Sequence, residues 1–139
     1  MIYSKACEYA IRALTYLARH PDRSCLAKEI AQHEGIPHYF LSKILQNLAR
    51  DGLLRSAKGP GGGFQLAKPP KEFTLYEIKA AVDGVADLEE CAVGLERCDD
   101  EVPCPLHETF KPLRERIKRY LEETTLEAMA KAVEEKKVL

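Results

Sequence analysis

The chain has 139 residues, 45% hydrophobic and 31% charged, with a net charge of −1, an ordinary globular mix with room for one domain and an appendage. No apolar run approaches the roughly 20 residues of a membrane span, and residues 1–5 lack the basic stretch and apolar run of a secretory signal, so a cytoplasmic protein with no membrane partner is expected. Charge is uneven: residues 1–70 hold ten basic and five acidic side chains, +5, and residues 71–139 eleven and seventeen, −6, so the front half suits a polyanion.

Residues 4–19 read as a helix, capped by Ser4 and ended by His20-Pro21, with Ala6, Tyr9, Ala10, Ala13, Leu14 and Leu17 on one face. Ser24 is placed to cap a second helix over 25–33, with Leu26, Ile30 and Ala31 inward, and Gly35 stops it. Pro37 suits the first turn of a third helix, which runs to about Asp51 before Gly52. Helix, short turn, helix is the helix-turn-helix pattern. Leu41, Ile44, Leu45 and Leu48 form the buried stripe of the third helix. Tyr39, Ser42, Lys43, Gln46 and Arg50 share its opposite face. All five can donate hydrogen bonds and none is acidic, as a helix entering a DNA major groove requires.

Residues 53–66 then give two short strands around Gly59-Pro60-Gly61-Gly62-Gly63, a hairpin placed as a wing. Glycines such as Gly61 and Gly62 let a backbone approach a phosphate, or simply make a tight turn. Arg55 and Lys58 bring positive charge to it. The glycines are no nucleotide-binding fingerprint, because no helix opens after them. With no catalytic triad, phosphate loop or acid/base pair, the chain is expected not to be an enzyme.

Thr74 to about Asp83 reads as a fourth helix, and residues 85–107 as an acidic, cysteine-bearing loop. A long helix from about Leu106 to Glu123 carries Phe110, Leu113, Ile117 and Leu121 (or Tyr120) at near-heptad steps. Pairing of that stripe with a second copy predicts a homodimer. Thr124 to Glu127 matches a capping box and starts a last short helix. The reading is thus mainly α: a winged helix-turn-helix domain (1–84), a cysteine-bearing loop (85–107), and a long C-terminal dimerisation helix with a short terminal helix (108–139).

Five cysteines in a reducing compartment argue against a disulfide scaffold. Cys91, Cys98 and Cys104 fall within fourteen residues, separated by six and five residues, and two more lead to His107. Three soft thiolates suit an iron–sulfur cluster or zinc. The two close-spaced ligand pairs of a structural zinc site are absent, a weak preference for iron. Asp87, Glu89, Glu90, Glu96, Asp99, Asp100 and Glu101 surround the trio. Such carboxylates should raise the thiol pKa values, so thiolates here would need a metal.

Tyr9 to Leu14, Leu41 to Leu54, the wing glycines, Ala80 to Gly84, the cysteine trio and Thr124-Thr125-Leu126 stand in an order that resembles the Rrf2 family of bacterial winged-helix regulators. The resemblance spans nearly the whole chain. It implies a homodimer on a palindromic double-stranded operator, with DNA affinity switched by an iron–sulfur cluster through redox state, nitric oxide or cluster supply. A 2Fe–2S cluster is placed ahead of 4Fe–4S. In the family the third helix reads the major groove and the wing enters the minor groove, so Tyr39, Ser42 and Lys43 correspond to base readers and Lys58 to the wing-tip cation. Cluster-bearing members usually have five residues in the first cysteine gap; here Gly94 lies in a loop with one more. His107 resembles the histidine that completes the cluster in one branch. Glu8 occupies the place of a partner-derived carboxylate in others, and His33 a ligand position in one redox-sensing branch. Ordinary roles compete: Glu8 can pair with Arg12, and His33 can sit at a helix C-terminus. The alternative function is a zinc-stabilised winged-helix DNA-binding or protein-interaction module without a sensing role.

Overall fold

The structure, a computed structural model, describes residues 2–96 and 98–136. Six helices and a two-stranded sheet share one apolar core, and no described helix is long and apolar enough to cross a membrane. Helix α1 (Lys5–Ala18) starts at Ser4, whose hydroxyl accepts from the Cys7 amide at 3.0 Å. The Ser4 amide also donates to Asp83 at 2.8 Å, and its hydroxyl donates to the same carboxylate. The apolar stripe of α1 packs against α2 (Ala27–Glu34) and α3 (His38–Arg50). Leu14, Leu17, Leu41, Leu45 and Leu48 are buried there, each contributing roughly 1.5–3 kcal/mol.

The start of α2 differs from the sequence expectation. Ser24 does not cap it; Leu26 is the cap residue, without a side-chain cap bond. Cys25 is extended and bridges the wing, donating to the Phe64 carbonyl at 2.9 Å and accepting from the Phe64 amide at 2.8 Å. Extended backbone alternates its side chains, so Cys25 is buried while Leu26 is 57% exposed, the reverse of the inward Leu26 expected. Polar contacts then fix α2 on α1. Arg12 donates to the Glu34 carboxylate at 3.1 Å and to its carbonyl. Tyr16 donates to Glu29 at 2.5 Å, and Arg23 brackets the same carboxylate at 2.6 and 3.1 Å. Arg23 first, and Tyr16 next, pull the Glu29 carboxyl down to about 2.

Strands β1 (Leu54–Ala57) and β2 (Gly63–Leu66) pair antiparallel, Leu54 with Leu66 and Ala57 with Gly63. The turn closes through a Gly62 amide to Gly59 carbonyl bond of 2.9 Å. Helix α4 (Leu75–Val82) is capped by Thr74, which accepts from the Glu77 amide at 3.2 Å. Helices α5 (His107–Glu123) and α6 (Leu126–Lys136) follow the cysteine loop. The Leu75 amide donates to Thr124, and the Leu126 amide to Phe73, at 3.0 and 3.1 Å, so the starts of α4 and α6 are stitched together. Thr125 accepts from the Ala128 amide at 3.1 Å as the α6 cap. Helix α6 packs on α1, and its buried Leu126 joins the winged-helix core.

The buried face of α5 is His107, Arg114 and Leu121, seven residues apart. Leu121 lies in the protomer's own core. As a dimer contact it is corrected: a side chain with no exposed surface cannot meet a second copy. Phe110 and Ile117 are half-buried, whereas Leu113 and Tyr120 are 52% and 48% exposed.

Candidate nucleic-acid interface and candidate metal centre

Tyr39, Lys43, Gln46 and Arg50 stand exposed on the outer face of α3, with Ser42 half-buried among them. The Lys43 ammonium lies 5.3 Å from the Tyr39 ring centre, and the Gln46 amide donates to Ser42 at 3.4 Å. These contacts pre-arrange a donor-rich surface without an acidic group. A cleft separates α3 from the wing, with Lys28, His38, Gln46, Ser56, Lys58 and Phe64 among its lining residues. Lys28 and His38 escape a reading of the α3 face alone. Lys28 reaches the cleft because the Cys25–Phe64 bridge draws the start of α2 against the wing, and His38 reaches it as the first residue of α3.

Two wing residues are placed differently from expectation. Arg55 lines the opposite side of the hairpin, with Pro21 and Gln65, and donates to the Ala67 carbonyl at 3.2 Å. Strand alternation turns it from the cleft that Ser56 faces. Gly62 is buried inside the turn, where a Cβ would come within 2.5 Å of the Ala57 carbonyl oxygen. It shapes the wing and does not face outward. Gly61 (φ +76°) and Lys58 are exposed near the tip.

The cysteine loop brings its donors together as two pairs. The Cys91 side chain accepts from the backbone amides of Val93, Leu95 and Gly94 and contacts Cys104. Those amides, Val93 first, hold the Cys91 thiol below its usual pKa. The expectation that acidic neighbours raise it is overturned at this position, because backbone N–H donors favour the thiolate. The second pair is Cys98 Sγ with His107 Nδ1, 3.4 Å apart. His107 is only 6% exposed, and its Nε2 lies 2.7 Å from Asp100 Oδ1. Lys111 approaches both Asp100 oxygens, at 2.7 and 2.9 Å. Lys111 first, then His107, lower the Asp100 carboxyl pKa.

Among the described residues, no three His, Cys, Asp or Glu side chains converge tightly enough to share one metal ion. That arrangement does not resemble the closed four-ligand tetrahedron of structural zinc. Three thiols and an imidazole in two pairs do fit an iron–sulfur centre, whose irons take thiolate and, in some centres, imidazole ligands. The imidazole is also oriented as metal-ligating histidines are: Nε2 lies against the Asp100 carboxylate, an acceptor, and Nδ1 faces Cys98. The other two candidate ligands are engaged elsewhere in the protomer. Glu8 pairs with Lys5 at 3.2 Å, not with Arg12. His33 lies 2.8 Å from Glu34 and packs on Tyr16. Of the three, His107 alone hydrogen-bonds a cysteine of the trio among the described residues.

The comparisons agree with this architecture. A family model described as Rrf2, iron-dependent transcriptional regulator, matches residues 3–132. A protein of Aquifex aeolicus named "Putative HTH-type transcriptional regulator" is 35% identical over 138 residues, 98% of this chain and 95% of that one. The HTH-type transcriptional regulator IscR of Photorhabdus laumondii is 31% identical over 122 residues, 87% of this chain and 74% of that one. Among solved structures, CymR (YrzC), the global cysteine regulator of B. subtilis, superposes with a TM-score of 0.77 at 26% identity, covering 92% of this chain and 95% of that one. The structure of T. potens IscR gives a TM-score of 0.78 at 23% identity, covering 98% and 90%, a likeness of fold.

Proposed function

The chain belongs to the Rrf2 family of winged-helix transcriptional regulators, and on that premise we propose that it binds a palindromic operator as a homodimer and changes its affinity with an iron–sulfur cluster at the cysteine loop. The observation that carries the cluster reading is the buried His107, aimed by Asp100 at Cys98. Cys91, Cys98, Cys104 and His107 would hold the group, which supplies a one-electron redox and nitric-oxide-reactive centre when bound. Paired donors favour 2Fe–2S, in which each iron takes two protein ligands. Tyr39, Ser42, Lys43 and Gln46 would face base edges, Arg50 the backbone, and Lys58 with Gly61 the wing-side phosphates. On α5 the exposed Leu113 and Tyr120, with Phe110 and Ile117 beside them, are the surface a second copy would cover.

The chain offers a mechanical route from loop to DNA face. Asp87, before the trio, accepts from Lys79 of α4 at 2.9 Å. Asp83, at the end of α4, holds the first residues of α1 through Ser4. Helix α1 in turn carries α2 and α3. A restraint on the loop therefore shifts the DNA-reading unit relative to the dimer axis, and half-site spacing depends on that relation.

The test uses an operator selected from random duplexes, with holo and chelator-stripped protein at one salt concentration. A difference of roughly five- to 150-fold in affinity is expected, the usual size of such coupling. Equal affinities would remove the switching role. A colourless, zinc-bearing protein would support a structural site instead. On the same operator, Lys58→Ala should weaken binding to every sequence alike and reduce the log–log salt slope by about 0.9. Ser42→Ala or Lys43→Ala should instead change which bases are preferred. Uniform loss for all three variants would contradict that division of labour.

A further inference from the structure

Arg114 lies two turns beyond His107 on the buried face of α5, with 5% of its surface exposed. A guanidinium is costly to bury unless its charge and its N–H groups are matched. Here the match is incomplete. One terminal nitrogen donates to the Glu90 carbonyl, beside Cys91, at 3.0 Å. The other is 3.8 Å from Glu115, a half-exposed carboxylate at the limit of ion-pair range. Glu89 is already taken by Lys118 at 2.8 Å. The Nε atom is buried without an acceptor among the described residues. The Cys98 side chain lies within electrostatic and hydrogen-bonding reach of the guanidinium. A buried cation with a spare donor, set against a sulfur, describes the protein half of an anion site.

We propose that Arg114 is the fixed counter-charge and hydrogen-bond donor for an anionic metal–sulfur centre held by Cys91, Cys98, Cys104 and His107, and that it sets the reduction potential of that centre. The inference rests on the cluster reading above and adds a residue that is not a ligand. Reduction adds negative charge, so a buried cation beside the sulfur favours the reduced state. Net charge, hydrogen bonds to sulfur and exposure are the protein's levers on such potentials. The planar guanidinium reaches the Glu90 carbonyl and Cys98 together, ahead of and inside the trio, and so also braces the loop. An ammonium at the same place would keep the charge and lose the fork.

The full chain is purified anaerobically as wild type, Arg114→Gln and Arg114→Lys. Three quantities are read: the visible spectrum with iron and sulfide content, the midpoint potential by mediated titration, and the rate of iron loss to a chelator. Arg114→Gln should keep the spectrum and shift the reduction equilibrium about tenfold toward the oxidised form, or about 59 mV more negative for a one-electron couple. Arg114→Lys should stay near the wild-type potential and lose iron several-fold faster. A coloured Arg114→Gln protein with an unmoved potential would overturn this inference alone. If Arg114→Gln does not fold, an unchanged rate of iron loss from Arg114→Lys overturns it equally. A colourless wild-type protein would overturn the cluster reading and this inference together.

Discussion

Gly63→Val is expected to unseat the wing and lower the thermal midpoint by about 10 °C. Gly63 has φ +126°, a conformation that side-chain-bearing residues rarely adopt. A Cβ there would meet the Cys25 carbonyl oxygen at 2.4 Å and its carbon at 2.6 Å. Both atoms are backbone, so no side-chain rotation relieves the clash. The strand must retreat, and the two Cys25–Phe64 bonds of 2.9 and 2.8 Å go with it. Strain of roughly 1–3 kcal/mol and two lost bonds of about 0.5–1.5 kcal/mol each sum to a few kcal/mol, which for a chain of this size corresponds to about 10 °C or more. Because the same bridge holds the start of α2 against the wing, Lys28 and Lys58 should separate and operator affinity should fall with stability. Gly61→Asn is the control: its φ of +76° is one that asparagine tolerates, and nothing lies within 4 Å of its Cβ position. Thermal unfolding by circular dichroism, with operator titration below the transition, checks both. A Gly63→Val protein melting within a degree or two of wild type would show that the bridge does not hold the wing.

The DNA-reading half was legible because its signals are local. The α3 stripe repeats at helical spacing, Gly52 closes the helix, and the wing glycines fall between two short strand-like runs. Each of these survives without knowledge of distant contacts. The start of α2 was not legible for the converse reason. Ser24 looks like a cap, but the Phe64 backbone, thirty-nine residues beyond Cys25, claims that segment first as an extended bridge. On α5 one residue of the expected dimer stripe, Leu121, lies in the protomer's own core, for another reason. An apolar search finds Phe110, Leu113 and Ile117, yet the face turned inward is His107, Arg114 and Leu121. Two of those three are polar, and they are buried because the cysteine loop folds over them with its own acceptors. Counting carboxylates likewise misjudged Cys91, since its thiol answers to three backbone amides that no side-chain inventory contains. The trio stands out by residue type and clustering, and His107 is picked out beside it by the family resemblance. Asp100 and Arg114, which aim and balance them, do not stand out, because neither is a ligand type that spacing singles out in an acidic loop.

Cys98→Ala and His107→Ala are expected to remove the visible chromophore from anaerobically prepared protein while leaving the helical circular dichroism in place. Leu88 anchors the start of the loop in the core, but neither Cys98 nor His107 belongs to that core cluster. The winged helix should therefore stay folded, and each variant should bind the operator with one affinity whether or not iron and sulfide are supplied. Asp100→Asn should have an intermediate effect. Its carboxylate accepts from His107 Nε2 at 2.7 Å and fixes which ring nitrogen faces Cys98. Loss of such an orienting partner typically weakens metal retention about 10–100-fold. The amide keeps the shape but not the charge, so Lys111 also loses its ion pair. Lys111→Gln separates the two effects, because it leaves the His107 contact intact; its iron content should stay near wild type. The decisive comparison is iron and sulfide per chain together with the visible spectrum. A normal spectrum in His107→Ala would transfer the fourth position to Glu8 or His33, and either Glu8→Ala or His33→Ala, whichever holds it, would then lose the chromophore. In that case the orienting role of Asp100 falls as well, and Asp100→Asn should retain iron like wild type.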